Sequence, residues 1–177
     1  MVDRGELAGL LERVYCERRQ GLYSLALSVT RRPDAAEDAV HEAFARLMRR
    51  GETPSGDLEA YLFTAVRNAA IDQRRRHRSG AELDASLFED AASNPSAQLA
   101  ADEQQQALQR ALNTLPDAQR EAVVMRVYGD LSFRQIAEVT SEPLTTIASR
   151  YQRALGKLRD VLQREDAVME TAYEDGS

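Results

Sequence analysis

The chain has 177 residues and a formal charge of −6, with 23 Lys and Arg against 29 Asp and Glu. That length bounds it to one or two small domains. The single cysteine, Cys16, excludes an internal disulfide framework or a cysteine-based metal cluster, and no run of about 18 apolar residues is present to span a membrane.

A hydrophobic fraction of 43% with only 6% aromatic residues, nine Gly and five Pro favours packed helices over many short strands. Apolar residues at Leu7, Leu11, Val14, Leu22, Leu25 and Val29 mark one face of a helix over 6–30, with Arg18 filling the gap in the stripe. Pro33 and Asp34 break that pattern. It restarts over 34–49 with Ala39, Val40, Ala43, Phe44, Leu47 and Met48. Asp34, Glu37 and Asp38 fall in the first turn and Arg46, Arg49 and Arg50 in the last, as the helix dipole favours. A third helix is expected over 57–77, with Leu62, Ala65, Val66 and Ala69 inward and a basic end at Arg74, Arg75, Arg76, His77 and Arg78.

Residues 79–105 carry Glu82, Asp84, Glu89, Asp90, Asp102 and Glu103 with no Lys or Arg, beside Gly80, Ser93, Asn94, Pro95 and Ser96. This composition is that of a flexible acidic linker. Residues 102–114 then give Leu108, Ala111 and Leu112, and Leu115-Pro116 stops the helix. A short helix over 116–128 is expected to bury Ala122, Val123, Met125 and Val127. Gly129-Asp130 is a turn, and Ser132 to Gln135 form a capping box that opens a helix over 133–139. Pro143 suits the first position of a last helix, which runs to about Gln163 with Leu144, Ile147, Tyr151, Leu155, Leu158 and Leu162 inward. The acidic tail over 165–177 is expected to fray.

The negative charge belongs to two segments. Residues 79–105 hold −6 and residues 165–177 hold −5, so the helical remainder is +5. A short helix, a tight turn and a longer basic helix make a helix-turn-helix pattern. Thr145, Thr146, Ser149, Arg150, Arg153 and Lys157 fall on the outer face of its second helix, although spacing alone leaves a solvated amphipathic helix open. On the third helix, Asn68 and Asp72 share a face with Tyr61 and Thr64 below and Arg75 above, amid Arg67, Arg74 and Arg76. Arginines neutralise phosphates and Asn can hold a base edge; a helix dipole alone also accounts for a basic end. An enzyme reading is poor, because His41 and His77 have no evident metal or triad partners and no Gly-rich phosphate loop exists. Cys16 reads as a small filler on a helix.

Three stretches in order resemble one family, the bacterial RNA polymerase sigma factors of the small extracytoplasmic-function type. Asp34 to Leu47 (DAAEDAVHEAFARL) is similar to that family's core-binding segment, with His41 where Gln is usual. Ala60 to Asp72 (AYLFTAVRNAAID), followed by Arg74 to Arg76, is similar to its −10 element reader, with Tyr61 in place of the common Trp. Leu115 to Glu121 and Leu131 to Glu138, with Thr145 to Tyr151, are similar to its −35 reader, departing at Thr145 and Ala148. The resemblance covers roughly 6–163.

The resemblance implies an all-α fold of two small helical domains joined by the linker. Residues 1–78 would be a region 2-like bundle and 106–164 a region 4-like helix-turn-helix unit, between the linker at 79–105 and the tail at 165–177. It implies that Asp38, His41, Glu42, Arg46 and Arg49 dock on core RNA polymerase at its β′ clamp, with the second domain near the β flap. Tyr61, Arg67, Asn68, Asp72 and Arg74 to Arg76 would hold the melted −10 strand. Thr145, Thr146, Ser149, Arg150, Arg153 and Lys157 would read the −35 groove. The acidic linker would mimic nucleic-acid charge in a basic polymerase channel. No cofactor, metal or membrane is implied; the factor would be a cytoplasmic monomer outside the holoenzyme, held off by an anti-sigma partner between the two domains. Two other readings remain: a helix-turn-helix regulator that binds DNA alone, which leaves Asp34 to Leu47 unexplained, and a helical adaptor without DNA binding.

Overall fold

The computed structural model describes residues 4–51, 54–81 and 99–174, with side chains over 5–51, 54–79 and 107–164. Among them are seven helices and no strand: α1 (Arg4–Thr30), α2 (Pro33–Arg50), α3 (Leu58–Ala81), α4 (Leu99–Thr114), α5 (Asp117–Val127), α6 (Phe133–Thr140) and α7 (Leu144–Glu174). Helices α1, α2 and α3 pack on one another as a bundle, α4 to α7 form a second unit, and α5 lies on α1 while α6 lies on α3.

The α1 stripe is buried as its spacing predicts: Leu7, Leu11, Val14, Leu22, Leu25 and Val29 all lie in the core. Arg18 bridges the gap by donating from Nε and Nη2 to Glu59 of α3, each at 3.1 Å. Arg31 adopts a left-handed φ of 62° that ends α1. The expected break falls between α1 and α2, and α2 starts one residue earlier than expected, at Pro33, where a missing N–H costs nothing. Gly51 closes α2 at φ 69°, its amide donating to the Leu47 carbonyl at 3.2 Å. Asp57 caps α3, its Oδ1 accepting from the amides of Glu59 and Ala60 at 2.9 and 3.1 Å.

The basic run at 74–78 lies inside α3, because the helix continues to Ala81. At the other end of the expected linker, α4 already begins at Leu99. Residues 82–98, with most of the linker and its acidic side chains, lie outside the described residues. The tail also departs from expectation, since α7 runs on to Glu174. No Pro or Gly interrupts 157–174, and Ala167, Met169 and Ala172 are good helix formers. Cys16 is exposed and fills no gap. Leu144 and Val127 are also exposed, at 48% and 57%, because each falls at an end of its helix where no neighbour covers it.

Ser132 and Gln135 form the expected capping box. Gln135 N donates to Ser132 Oγ at 3.2 Å, and Ser132 N donates to Gln135 Oε1 at 2.8 Å. The same Gln135 donates from Nε2 to Asp57 Oδ2 at 2.8 Å, tying the α6 cap to the α3 cap of the bundle. Ser132→Ala is expected to cost about 1 kcal/mol, the usual worth of an N-cap hydroxyl, read as a lower urea midpoint.

The core is continuous between the two units. One buried cluster joins Leu22, Leu25, Leu62, Phe63 and Val66 of the bundle to Met125, Leu131, Ile136 and Ile147 of the second unit. Gly21 and Gly129 make this approach possible: a Cβ on Gly21 would stand 2.6 Å from Gly129 Cα and 2.7 Å from the Tyr128 carbonyl oxygen. A smaller cluster of Ala111, Leu112, Leu115, Val123, Ala154 and Leu158 holds α4 and α5 against α7.

Candidate functional site

Three surfaces carry the residues singled out in the sequence. On α2, Asp38, His41, Arg46 and Arg49 are exposed on one face, and Glu42 is half-buried beside them. Arg46 Nη2 donates to Glu42 Oε1 at 2.5 Å, one helical turn apart. His41 lines a shallow depression of about 380 Å³ with Leu11, Glu12, Tyr15 and Phe44. Tyr15 and Phe44 meet edge to face with centroids 5.3 Å apart. This face therefore combines mixed charge with an aromatic anchor, as a docking surface needs. At the start of α2, Arg32 donates to Asp34, from Nη2 at 2.7 Å, and lowers the Asp34 pKa to about 2.

On α3, Asn68, Arg75 and Arg76 are exposed, and Tyr61 and Asp72 are half-buried. Arg50 Nη1 reaches Tyr61 Oη at 3.4 Å. Arg67 and Arg74 are engaged across the domain boundary. Arg67 Nε donates to Glu121 Oε2 at 2.5 Å, and Arg74 Nη1 donates to Asp117 Oδ2 at 3.0 Å. On α7, Thr145, Ser149, Arg153 and Lys157 are exposed and Thr146 is half-covered. Arg150, expected on the open face, is half-buried instead. It grips Glu142 through both nitrogens, Nη2 to Oε1 at 2.8 Å, and so fixes α7 to the turn that precedes it. Phe133 and Tyr151 pack edge to face behind it, centroids 5.3 Å apart.

Sequence periodicity gave no sign of the charged web between the units. Asp117 receives Arg120 from its own helix and Arg31 and Arg74 from the bundle. Desolvation opposes its ionisation, but the hydrogen bonds and charge of Arg120, with those of Arg74 and Arg31, outweigh it and hold the carboxyl below its usual range. Arg120 is 2% exposed and donates from Nε to the Ser28 carbonyl at 3.2 Å and from Nη1 to the Leu115 carbonyl at 2.9 Å. Burial, then the charge of Arg31, pushes its pKa down. The half-exposed pairs to Asp117 contribute at most about 1 kcal/mol each, so the apolar contact supplies most of the cohesion and the ions fix the register. Among the described residues no group of three or more His, Cys, Asp or Glu side chains is placed to hold a metal ion, and no helix is long and apolar enough to cross a membrane.

Comparison with known proteins places the chain in a family. Residues 15–80 match sigma-70 region 2 and residues 105–158 match sigma-70 region 4. The chain is 32% identical over 151 residues to the ECF RNA polymerase sigma factor EcfG of Rhodopseudomonas palustris, covering 82% of this chain and 81% of that one. It is 34% identical over 129 residues to the ECF RNA polymerase sigma factor RpoE of Cereibacter sphaeroides, covering 70% of each. The sigma factor RpoE of Bartonella quintana, solved in complex with the anti-sigma factor NepR, superposes with a TM-score of 0.69 at 25% identity, covering 86% of this chain and 96% of that one. Two helical units matching regions 2 and 4 in the family's order, with relatives of this identity along most of their length, establish that the chain belongs to the extracytoplasmic-function sigma factors of the sigma-70 family, which bind core RNA polymerase and direct it to promoters.

Proposed function

We propose that the three surfaces divide that work by residue. The α2 face, with Asp38, His41, Glu42, Arg46 and Arg49, docks on the β′ clamp, and the second unit rests near the β flap. Asn68 and Asp72 hold the separated −10 strand beside Tyr61, while Arg67 and Arg74 to Arg76 take its phosphates. Thr145, Thr146, Ser149, Arg153 and Lys157 enter the −35 major groove, and Arg150 sets the angle of α7 through Glu142. The observation that carries this reading is the outward display of Asn68, Arg75 and Arg76 on α3 and of Thr145, Ser149, Arg153 and Lys157 on α7, each within a segment matching its sigma region.

Pulling a base out of the stack costs a few kcal/mol, which binding to the polymerase supplies. A stand-alone regulator is disfavoured because it has no use for region 2; retention of the chain on immobilised core polymerase separates the two readings. An anti-sigma protein is the further partner, supported by the NepR complex of the structural relative. The factor works in the cytoplasm as a monomer until it joins the polymerase.

Run-off transcription with reconstituted holoenzyme tests the −10 assignment. Replacing Arg74, Arg75 and Arg76 together with alanine is expected to depress open-complex formation. It should also flatten the dependence on log salt by about two, at roughly 0.7 per single-strand phosphate lost. Unchanged promoter opening removes Arg74 to Arg76 from the site.

A further inference from the structure

The outer surface of α7 carries two rows of side chains. Residues four apart line up along a helix, and Thr145, Ser149 and Arg153 form one such row. Beside it runs a second, Leu144, Ala148 and Gln152, in which Leu144 and Gln152 are exposed and Ala148 is half-covered. A single exposed leucine means little by itself. Leu144, however, is 48% exposed one turn before Ala148, so the two make an apolar strip on an otherwise polar face. Gln152 makes no hydrogen bond or ion pair among the described residues, which leaves its amide oxygen and both amide hydrogens available.

The first row is poorly equipped to tell bases apart. Ser149 Oγ donates to the Thr146 carbonyl at 3.0 Å, which leaves its lone pairs but not its proton. Arg153 suits a phosphate as readily as a base, and Arg150 is held by Glu142. The second row matches two features that the major groove shows only at A·T pairs: the thymine methyl group, and the adenine N6 donor beside its N7 acceptor.

From the two rows we infer that Leu144, Ala148 and Gln152 set the base preference of the −35 element, the apolar strip taking a thymine methyl and Gln152 the N6 and N7 edge of an adenine. Leu144 and Gln152 stand about 12 Å apart along the helix at 1.5 Å per residue, so they meet different base pairs. A G·C pair is rejected at either place. Cytosine has no methyl to fill the strip, and guanine offers two acceptors and no donor to the glutamine oxygen. The inference rests on the docking of α7 in the −35 groove proposed above.

The test uses a promoter located by run-off transcription, randomised over its −35 element, from which reconstituted holoenzyme retains the sequences it binds. The unaltered protein is expected to retain A·T pairs at two separate positions. Gln152→Arg should change one of them from adenine to guanine, because arginine pairs with guanine O6 and N7, and leave the other as it is. At that other position, deoxyuridine in place of thymidine removes only the methyl. It should weaken binding of the unaltered protein about fourfold, the worth of one buried methyl, and leave binding by Leu144→Ala unaffected. Both side chains are exposed, and the deoxyuridine comparison on the unaltered protein needs no variant. A retained set that Gln152→Arg does not change, or equal binding of the two promoters by the unaltered protein, overturns the inference. Ser149→Ala with Arg153→Ala separates it from the docking of α7. If that pair weakens dependence on the −35 element while Gln152→Arg changes nothing, only the base assignment fails; if neither has an effect, the docking fails with it.

Discussion

Truncating Phe63 to alanine is expected to lower the stability of the chain by about 3–5 kcal/mol, the range for removing a buried aromatic side chain. Phe63 is fully buried and is the largest such side chain among the described residues. Its ring faces two ways. It belongs to the cluster that fills the bundle, and its Cε1 and Cζ lie 2.9 and 3.0 Å from where a Cβ on Gly129 would stand. The cavity left by alanine therefore opens on the boundary between the units, where neighbouring backbone is held by α1 and cannot easily collapse inward. Urea titration followed by far-UV circular dichroism should show a lower midpoint, with the unfolding of the two units separating into two steps. Phe44→Ala is the comparison. Phe44 is half-buried beside Tyr15 on the outer face of the bundle, so its loss should be less than half as large and leave a single transition.

Phe63 also shows where sequence reasoning stops. Periodicity found Leu62, Ala65, Val66 and Ala69 as one stripe of α3, of which Ala65 is only partly buried. Phe63 and Ala70 lie beside that stripe and are equally buried, because α3 is covered by α1 and α2 on one side and by α6 on another. A helix with partners on several sides has no single apolar face, and a search for one face finds only part of it. Local chemistry was legible by contrast. The Ser132–Gln135 box, the stop at Leu115-Pro116 and the α1 stripe depend on residues within a few positions of one another. The three candidate surfaces were legible through family motifs, but Arg67, Arg74 and Arg150 are not free as the motifs suggest.

The charge pattern follows the same division. Segmenting the chain locates basic helices within an acidic total, yet it does not show which cations meet carboxylates. Arg120 and Glu121 are both buried in the middle of α5, where a sequence rule expects charged residues outside. They lie inside because each has a partner on the bundle, Ser28 at 92 residues' separation and Arg67 at 54. No local pattern encodes such pairs; they exist only once the two units meet.

Arg120 is the sharpest case, and its replacement by alanine is expected to cost about 3–5 kcal/mol, the range for removing one partner from a buried ionic network. The cost has separable parts. The Ser28 and Leu115 carbonyls each lose a donor in a place water does not reach readily, at about 1–3 kcal/mol for a buried group left unpaired. The packing of the long stem is lost as well. Asp117 suffers least, since it is half-exposed and keeps Arg31 and Arg74. Arg120→Met restores the volume without the donors and removes the burden of a desolvated cation that Arg31 repels, the two effects that lower the Arg120 pKa. Methionine is therefore expected to recover roughly half of the alanine loss, measured as urea midpoints on the full chain. Equal losses for the two variants would mean that the carbonyl hydrogen bonds carry the whole effect. A methionine variant as stable as the parent would mean that Arg120 contributes only its bulk, and that the register of α5 on α1 is set by the Gly21–Gly129 contact and the Arg67–Glu121 pair instead.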